Sequence, residues 1–229
     1  MLAGMPVLNL LDRDVYLYSE VDRIVGLRPG TARRWINGYS RAGKHHDPIL
    51  RIEPRDTEWA TWGEFVEARI LKEYREEIHT RRLREAVSAL RQEYRRDYPL
   101  AYLQPYLSVV DKDLTIRAND AEAQVVVRTG QSLLGEGWPV IQQSQLAEDD
   151  KGMKFVAELP PDIDFPDIVV NPNRYSGLPT FRGRRVSVAT IAGMVAAGEA
   201  PSDLAADYGL SLAQVENAVA FVAKHGAAA

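Results

Sequence analysis

The 229-residue chain contains no cysteine. That absence excludes disulfides, thiolate metal sites and a cysteine nucleophile, and it points to a reducing cytoplasm as the expected compartment. Histidine is scarce as well, with four residues: His45 and His46 are adjacent in a basic loop, and His79 and His225 stand alone. Metal-ligand spacing is missing from that pattern, so no metal site is expected. No stretch approaches the roughly 18 apolar residues that a membrane span needs. The opening residues, MLAGMPVLNLLDRD, lack the basic and apolar regions of a signal peptide. A P-loop, a nucleophile elbow and a dinucleotide glycine motif are all absent, so neither catalysis nor a cofactor is expected. Asp162, Asp164 and Asp167 alternate in a proline-rich stretch and are read as a solvated turn.

What remains is a chain of ordinary apolar content, 45%, and formal charge −4. The average hides an asymmetry. Residues 1–100 hold 18 Lys+Arg against 16 Asp+Glu, and residues 101–229 hold 10 against 16. Between Arg28 and His46 lie five basic residues (Arg28, Arg33, Arg34, Arg41 and Lys44) and no acid. On charge alone such a run is either a solvated loop or a surface for an anionic partner.

Apolar spacing and caps place the elements. Ser19 to Asp22 reads as a capping box for a helix carrying Val21, Ile24 and Val25 on one face. Gly26-Leu27-Arg28-Pro29-Gly30 is a turn, and Thr31 is expected to cap a short helix to Asn37 that buries Trp35 and Ile36. Two short helices across a glycine-bearing turn form the helix-turn-helix signature. Ile49, Leu50 and Ile52 are a candidate strand where a wing would lie. Thr61 to Glu64 is a capping box for a helix over 62–77, and a second helix is expected over 81–97. The period then changes. Leu107–Val110, Leu114–Ile116, Gln124–Val127 and Lys154–Ala157 are β-prone.

Residues 159–167 are expected to be a linker, followed by a strand at Ile168–Val170 and three helices. The last of these starts at the Ser211–Gln214 capping box, with Leu212, Val215, Val219 and Val222 on its buried face. The expected fold class is therefore α+β, mainly α. It comprises a winged helix-turn-helix over 1–100, a β-rich connection over 101–158, the linker, and a three-helix unit over 168–229.

The first helix-turn-helix carries the functional candidates. A recognition helix reads base edges through residues near its N-terminus, while flanking cations hold phosphates. Arginine can read guanine, asparagine can read adenine, and threonine can meet phosphate or a methyl group. The expected DNA-binding set is Arg28, Thr31, Arg33, Arg34, Asn37, Tyr39, Arg41 and Lys44. Its bland counterpart is a helical hairpin with solvated arginines. The last helix offers Ala213, Gln214, Glu216, Asn217 and Ala220 with only Lys224 as a base, a surface suited to protein rather than phosphate.

Residues 15–98 resemble the MerR-like winged helix-turn-helix group at Gly26-Leu27 and Thr31-Ala32-Arg33-Arg34-Trp35. Residues 166–225 resemble an antitoxin-associated domain of unknown function, the family numbered 433. That likeness rests on Gly177-Leu178-Pro179, Arg182-Gly183-Arg184-Arg185, Gly198-Glu199 and Tyr208-Gly209-Leu210. The combination resembles a VapB-type antitoxin of a type II toxin–antitoxin pair. The resemblance implies a homodimer that binds operator DNA, represses its own operon and neutralises a PIN-domain ribonuclease toxin.

Arg174, Arg182, Arg184 and Arg185 lie between Asp167 and Glu199 with no intervening acid, and they are the candidate toxin contacts. Arginines suit a nuclease pocket lined with carboxylates; the competing reading is a turn stabilised by arginine-to-carbonyl bonds, or a contact to DNA phosphate. The alternative is a MerR-like transcriptional regulator that senses a small molecule and acts without a partner protein.

Overall fold

Two carboxylates organise the start of the fold by satisfying backbone amides. The computed structural model of the chain describes residues 10–226 apart from 76–77, 103–105, 111–112, 118–123 and 127–137. Strand β1 (Asp14–Leu17) runs into helix α1 (Tyr18–Val25), whose N-cap is Leu17 and not Ser19. The Leu17 amide donates to Glu20 Oε2 at 2.7 Å. Asp22, expected in that first cap, instead reaches forward to helix α2 (Thr31–Asn37). It accepts from the Gly30 and Ala32 amides at 2.6 and 2.7 Å. Asp22 thus does the capping expected of Thr31, which is the first helical residue and only 4% exposed. Between the helices Gly26 takes a left-handed φ of +75°, the conformation that closes α1 with least steric cost to a glycine. Val21, Ile24, Val25, Trp35 and Ile36 are buried.

Strands β2 (Tyr39–Arg41) and β3 (Lys44–His46) form a hairpin, turning through Ala42 and Gly43, both at positive φ. The stretch Tyr39–Thr57, expected to hold a wing, thus carries its hairpin at its start, whereas Ile49, Leu50 and Ile52, the candidate short strand, form no strand. Ile49 and Leu50 are buried in the apolar core and their amides donate to the Trp35 carbonyl at 2.7 and 2.9 Å, whereas Ile52 is left 68% exposed. Strand β4 (Trp59–Thr61) pairs antiparallel with β1 and leads into helix α3 (Trp62–Tyr74), with the capping box of Thr61 and Glu64 in place. Gly63 lets α3 meet the Tyr98 ring, since a Cβ there would lie 2.5 Å from its Cγ. Helix α4 (Thr80–Tyr94) buries Leu83, Val87 and Leu90.

Strands β5 (Tyr106–Val110), β6 (Asp113–Arg117) and β7 (Gln124–Val126) make an antiparallel sheet in that order. Val127, at the end of the third expected run, lies outside the described residues. Helix α5 (Trp138–Gln142) precedes a hairpin of β8 (Gln145–Glu148) and β9 (Lys154–Glu158), so the fourth expected strand pairs locally and not with the first three. This hairpin belongs to the N-terminal core. The Trp62 indole N–H donates to the Val156 carbonyl at 2.8 Å, and Phe155, Val156 and Leu159 join the same buried cluster.

The stretch 159–167, read as a linker, is tied down at its start: Leu159 and Val170 exchange backbone hydrogen bonds, and Pro160, Pro161 and Asp162 are buried. Strands β10 (Ile168–Val169) and β11 (Thr180–Phe181) pair antiparallel. Helices α6 (Val188–Ala196), α7 (Pro201–Tyr208) and α8 (Leu212–His225) pack into a second core with Ile168 and Phe181. The inner face of α8 is Val215, Ala218, Phe221 and His225, whereas Leu212 and Val219, expected inside, are 49% and 39% exposed. The fold is α+β and mainly α.

Candidate nucleic-acid interface

The packing of α2 decides what it can offer. Ala32, Trp35 and Ile36 take the buried face, so Arg33 and Arg34 must point to solvent. Arg28 in the preceding turn and Arg41 and Lys44 in the hairpin are exposed too. The structure thus brings five cations of the expected set to the surface around one short helix. Arg33 pairs with Glu58 at 2.8 Å, but both side chains are more than half exposed, and such a pair is worth little in water. Tyr39 is half-buried and stacks on His46 with ring centroids 4.5 Å apart, which stiffens the hairpin.

Two members of the set are engaged inside the fold. Thr31 Oγ1 accepts from Arg34 Nη2 at 3.0 Å in a nearly closed environment. Asn37 Oδ1 accepts from the Arg55 amide at 2.7 Å and from Arg51 Nη1 at 3.0 Å, while its Nδ2 donates to the Arg55 carbonyl. With both Oδ1 acceptor sites and one Nδ2 hydrogen engaged, Asn37 holds the 51–55 loop and lacks the free donor–acceptor pair that reads an adenine edge.

Arg51 was not singled out from sequence, yet it centres the polar support of this region. It is 5% exposed and binds Glu64 through Nε at 2.5 Å and Nη2 at 3.0 Å, with further bonds to the Tyr18 hydroxyl and the Trp59 carbonyl. Nearby on α3, Glu67 is fully buried. One carboxyl oxygen accepts from the Leu100 amide at 3.0 Å, and the other has no hydrogen-bond partner. Burial, aided by Glu64 and Asp97 and opposed by Arg91 and the Leu100 amide, pushes its pKa up to about 8. Glu67 is therefore mostly protonated at neutral pH.

The four C-terminal arginines separate into two pairs. Arg174 and Arg182 both reach the buried carboxylate of Glu158, each at 3.2 Å. Arg182 also donates to the Gln143 and Pro166 carbonyls. These two bind the β10–β11 segment to the N-terminal core. Arg184 and Arg185 are exposed.

Asp162, expected as a solvated turn residue, is 3% exposed and bridges the cores. It accepts from Lys224 and lies 2.8 Å from His225 Nε2. Burial alone would raise its pKa, but the bonds from His225, Lys224 and the Asp164 amide hold the carboxyl well below the usual range. Among the described residues no group of three or more His, Cys, Asp or Glu could hold a metal ion. No described helix is long and apolar enough to cross a membrane.

Residues 168–222 match a family described as "Protein of unknown function (DUF433)". Over 98% of its length the chain is 50% identical to the uncharacterized protein Rv2308 of Mycobacterium tuberculosis, covering 97% of that protein. Its fold is similar to the X-ray crystal structure of Rv2018 from the same organism, with a TM-score of 0.61 over 92% of this chain and 99% of that one. The identity there is 16%, so that likeness concerns the fold alone.

Proposed function

We propose that this chain, which belongs to the family of the uncharacterized mycobacterial protein Rv2308, is a non-enzymatic DNA-binding antitoxin. It binds operator DNA as a homodimer, represses its own operon and neutralises a PIN-domain ribonuclease. The observation that carries the reading is the surface of α2. A capped helix with a buried Trp35–Ile36 face turns Arg33 and Arg34 outward, flanked by Arg28, Arg41 and Lys44. On this reading the DNA-contacting set is those five with Tyr39, and Thr31 and Asn37 act as supports. A homodimer fits because two such helices spaced roughly 34 Å apart read successive major grooves. The toxin assignment is supported by the resemblance of 166–225 to an antitoxin-associated domain. Of its four arginines, Arg174, Arg184 and Arg185 are exposed, and of these Arg184 and Arg185 are the two not engaged with Glu158.

The experiment is fluorescence anisotropy of the full chain on the DNA upstream of its own gene, across a salt series. Each of Arg33→Ala and Arg34→Ala should reduce the slope of log affinity against log salt by about 1 if it meets a phosphate, or cost roughly 1–3 kcal/mol if it reads a base. Wild-type affinity in both variants, or no binding at low salt, overturns the reading. Co-expression with the neighbouring gene product tests the second half: a nuclease that co-purifies with wild type and not with Arg184→Ala/Arg185→Ala supports it.

A further inference from the structure

A cleft of about 550 Å³ lies between α4 and the segment that follows the β2–β3 hairpin, within the size range of small-molecule sites. Its helical wall is a stripe of Arg84, Ser88 and Arg91, at the spacing that puts them on one face of α4, with Arg95 following at the helix C-cap. The facing wall is apolar at Ile52, an aliphatic side chain left 68% exposed at the opening; Pro48 and Ile49 also border the cleft but are buried.

Five arginines line this space, and two are already neutralised: Arg51 by buried Glu64 and Arg96 by Asp149 at 3.0 Å. The other three keep donors in hand. Arg84 uses Nε on the Asp47 and Pro48 carbonyls at 3.0 and 3.3 Å, which fixes its fork and leaves both terminal nitrogens. Arg91 uses Nε on the Asp97 carbonyl and Nη2 weakly on the Ile49 carbonyl at 3.4 Å, leaving Nη1. Arg95, at the left-handed end of the helix, has no partner among the described residues. Two aspartates share the lining, Asp47 and Asp97. Asp47 already faces His45 at 3.6 Å.

Three arginines with unfilled, partly fixed donors opposite an aliphatic wall are arranged for an oxyanion attached to an apolar body. We propose that this cleft binds a small organic anion, its carboxylate or phosphate held by Arg84, Arg91 and Arg95 and its body laid on Ile52. The site is distinct from the recognition-helix surface. It touches that surface through Ile49, whose amide also donates to the Trp35 carbonyl.

The test is isothermal titration calorimetry of the full chain with three probes: adenosine 5′-monophosphate, citrate and inorganic phosphate. Adenosine monophosphate or citrate should bind with a dissociation constant of roughly 1 mM or tighter, and the preference between them identifies the oxyanion. Inorganic phosphate, lacking a body, should bind more weakly. Arg84→Gln and Arg95→Gln should each weaken binding about tenfold, the loss of one charge-assisted hydrogen bond. Arg41→Gln on the hairpin should leave it unchanged. If Arg84→Gln does not fold, Arg95→Gln carries the test, because Arg95 has no internal bond to lose. Failure of all three probes overturns the proposal, as does equal weakening by Arg41→Gln. Loss of DNA affinity in Arg84→Gln and Arg95→Gln without anion binding would reassign these arginines to nucleic acid and overturn it too.

Discussion

Glu67→Gln should stabilise this protein at alkaline pH and do nothing of the kind at acid pH. The carboxyl is fully buried, bonded at one oxygen to the Leu100 amide and unpartnered at the other, so glutamine replaces it with the same shape and no charge. Burial raises its pKa in the folded state from 4.5 to about 8. A group whose folded pKa lies above its unfolded value stabilises the fold fully below the unfolded value. That stabilisation is lost as pH climbs through the folded one.

Raising the carboxyl from 4.5 to about 8 corresponds to about 5 kcal/mol in total, at about 1.36 kcal/mol for each tenfold change in proton affinity. Between pH 5 and pH 9 the wild type should lose about 4 kcal/mol from this group, while the glutamine variant loses none of it. Urea denaturation of both proteins at pH 5, 7 and 9 measures the difference, which cancels the titration of every other carboxylate. Near-equal stabilities at pH 5 that diverge in favour of Glu67→Gln by several kcal/mol at pH 9 are the expected result. A difference that stays flat across the three pH values would refute the reasoning, because it would mean that Glu67 is ionised or hydrated in the native state.

Two further predictions concern single carboxylates. Asp22→Ala leaves the Gly30 and Ala32 amides without their acceptor and should cost about 3 kcal/mol in urea denaturation. If α2 is the recognition helix, the same variant should weaken DNA binding in the anisotropy assay without touching DNA. Asp162→Asn should cost about 3 kcal/mol at pH 7, because it removes the charge that Lys224 and His225 surround. Its carboxyl is held below the usual range, so that contribution is present above ordinary carboxylate pKa values and vanishes on acidification. The gap between variant and wild type should therefore close in strong acid, and faster hydrogen exchange in α8 at neutral pH should report the loosened contact.

What the sequence revealed and what it concealed divide along the distance between partners. The caps Thr61–Glu64 and Ser211–Gln214 were legible because both members sit three residues apart. The α2 helix and its buried Trp35–Ile36 face were legible from the same local spacing. Asp22 was placed in the wrong cap because its amide partners lie eight and ten residues downstream, across a turn whose geometry no local pattern specifies. Asn37 looked like a base reader since nothing nearby in sequence needs its amide, yet residues 51 and 55 consume it.

The Arg51–Glu64 pair and the Glu158 cluster are invisible for the same reason: arginine and glutamate at such separations usually mark a solvated surface. The 159–167 stretch was read from its prolines as a linker. In the fold the prolines begin an irregular segment laid against the core, and Asp162 sits inside it because a histidine 63 residues later supplies its partner.

That histidine connects the two ends of the molecule. His225 is the last residue of α8, and its ring meets three things at once. Nε2 lies 2.8 Å from Asp162, Nδ1 lies 3.3 Å from the Arg23 carbonyl in the last turn of α1, and Phe221 stacks against the ring at 4.5 Å. A Cβ on Gly26, where the helix-turn-helix turn begins, would come within 2.9 Å of its Cε1. The C-terminal core therefore ends on the turn that orients α2. If a partner binds the outer faces of the C-terminal unit and DNA binds α2, any shift of α8 favoured by one ligand changes the free energy of the other by the same amount. The coupling needs no long pathway, since a single side chain spans the distance between α8 and the turn.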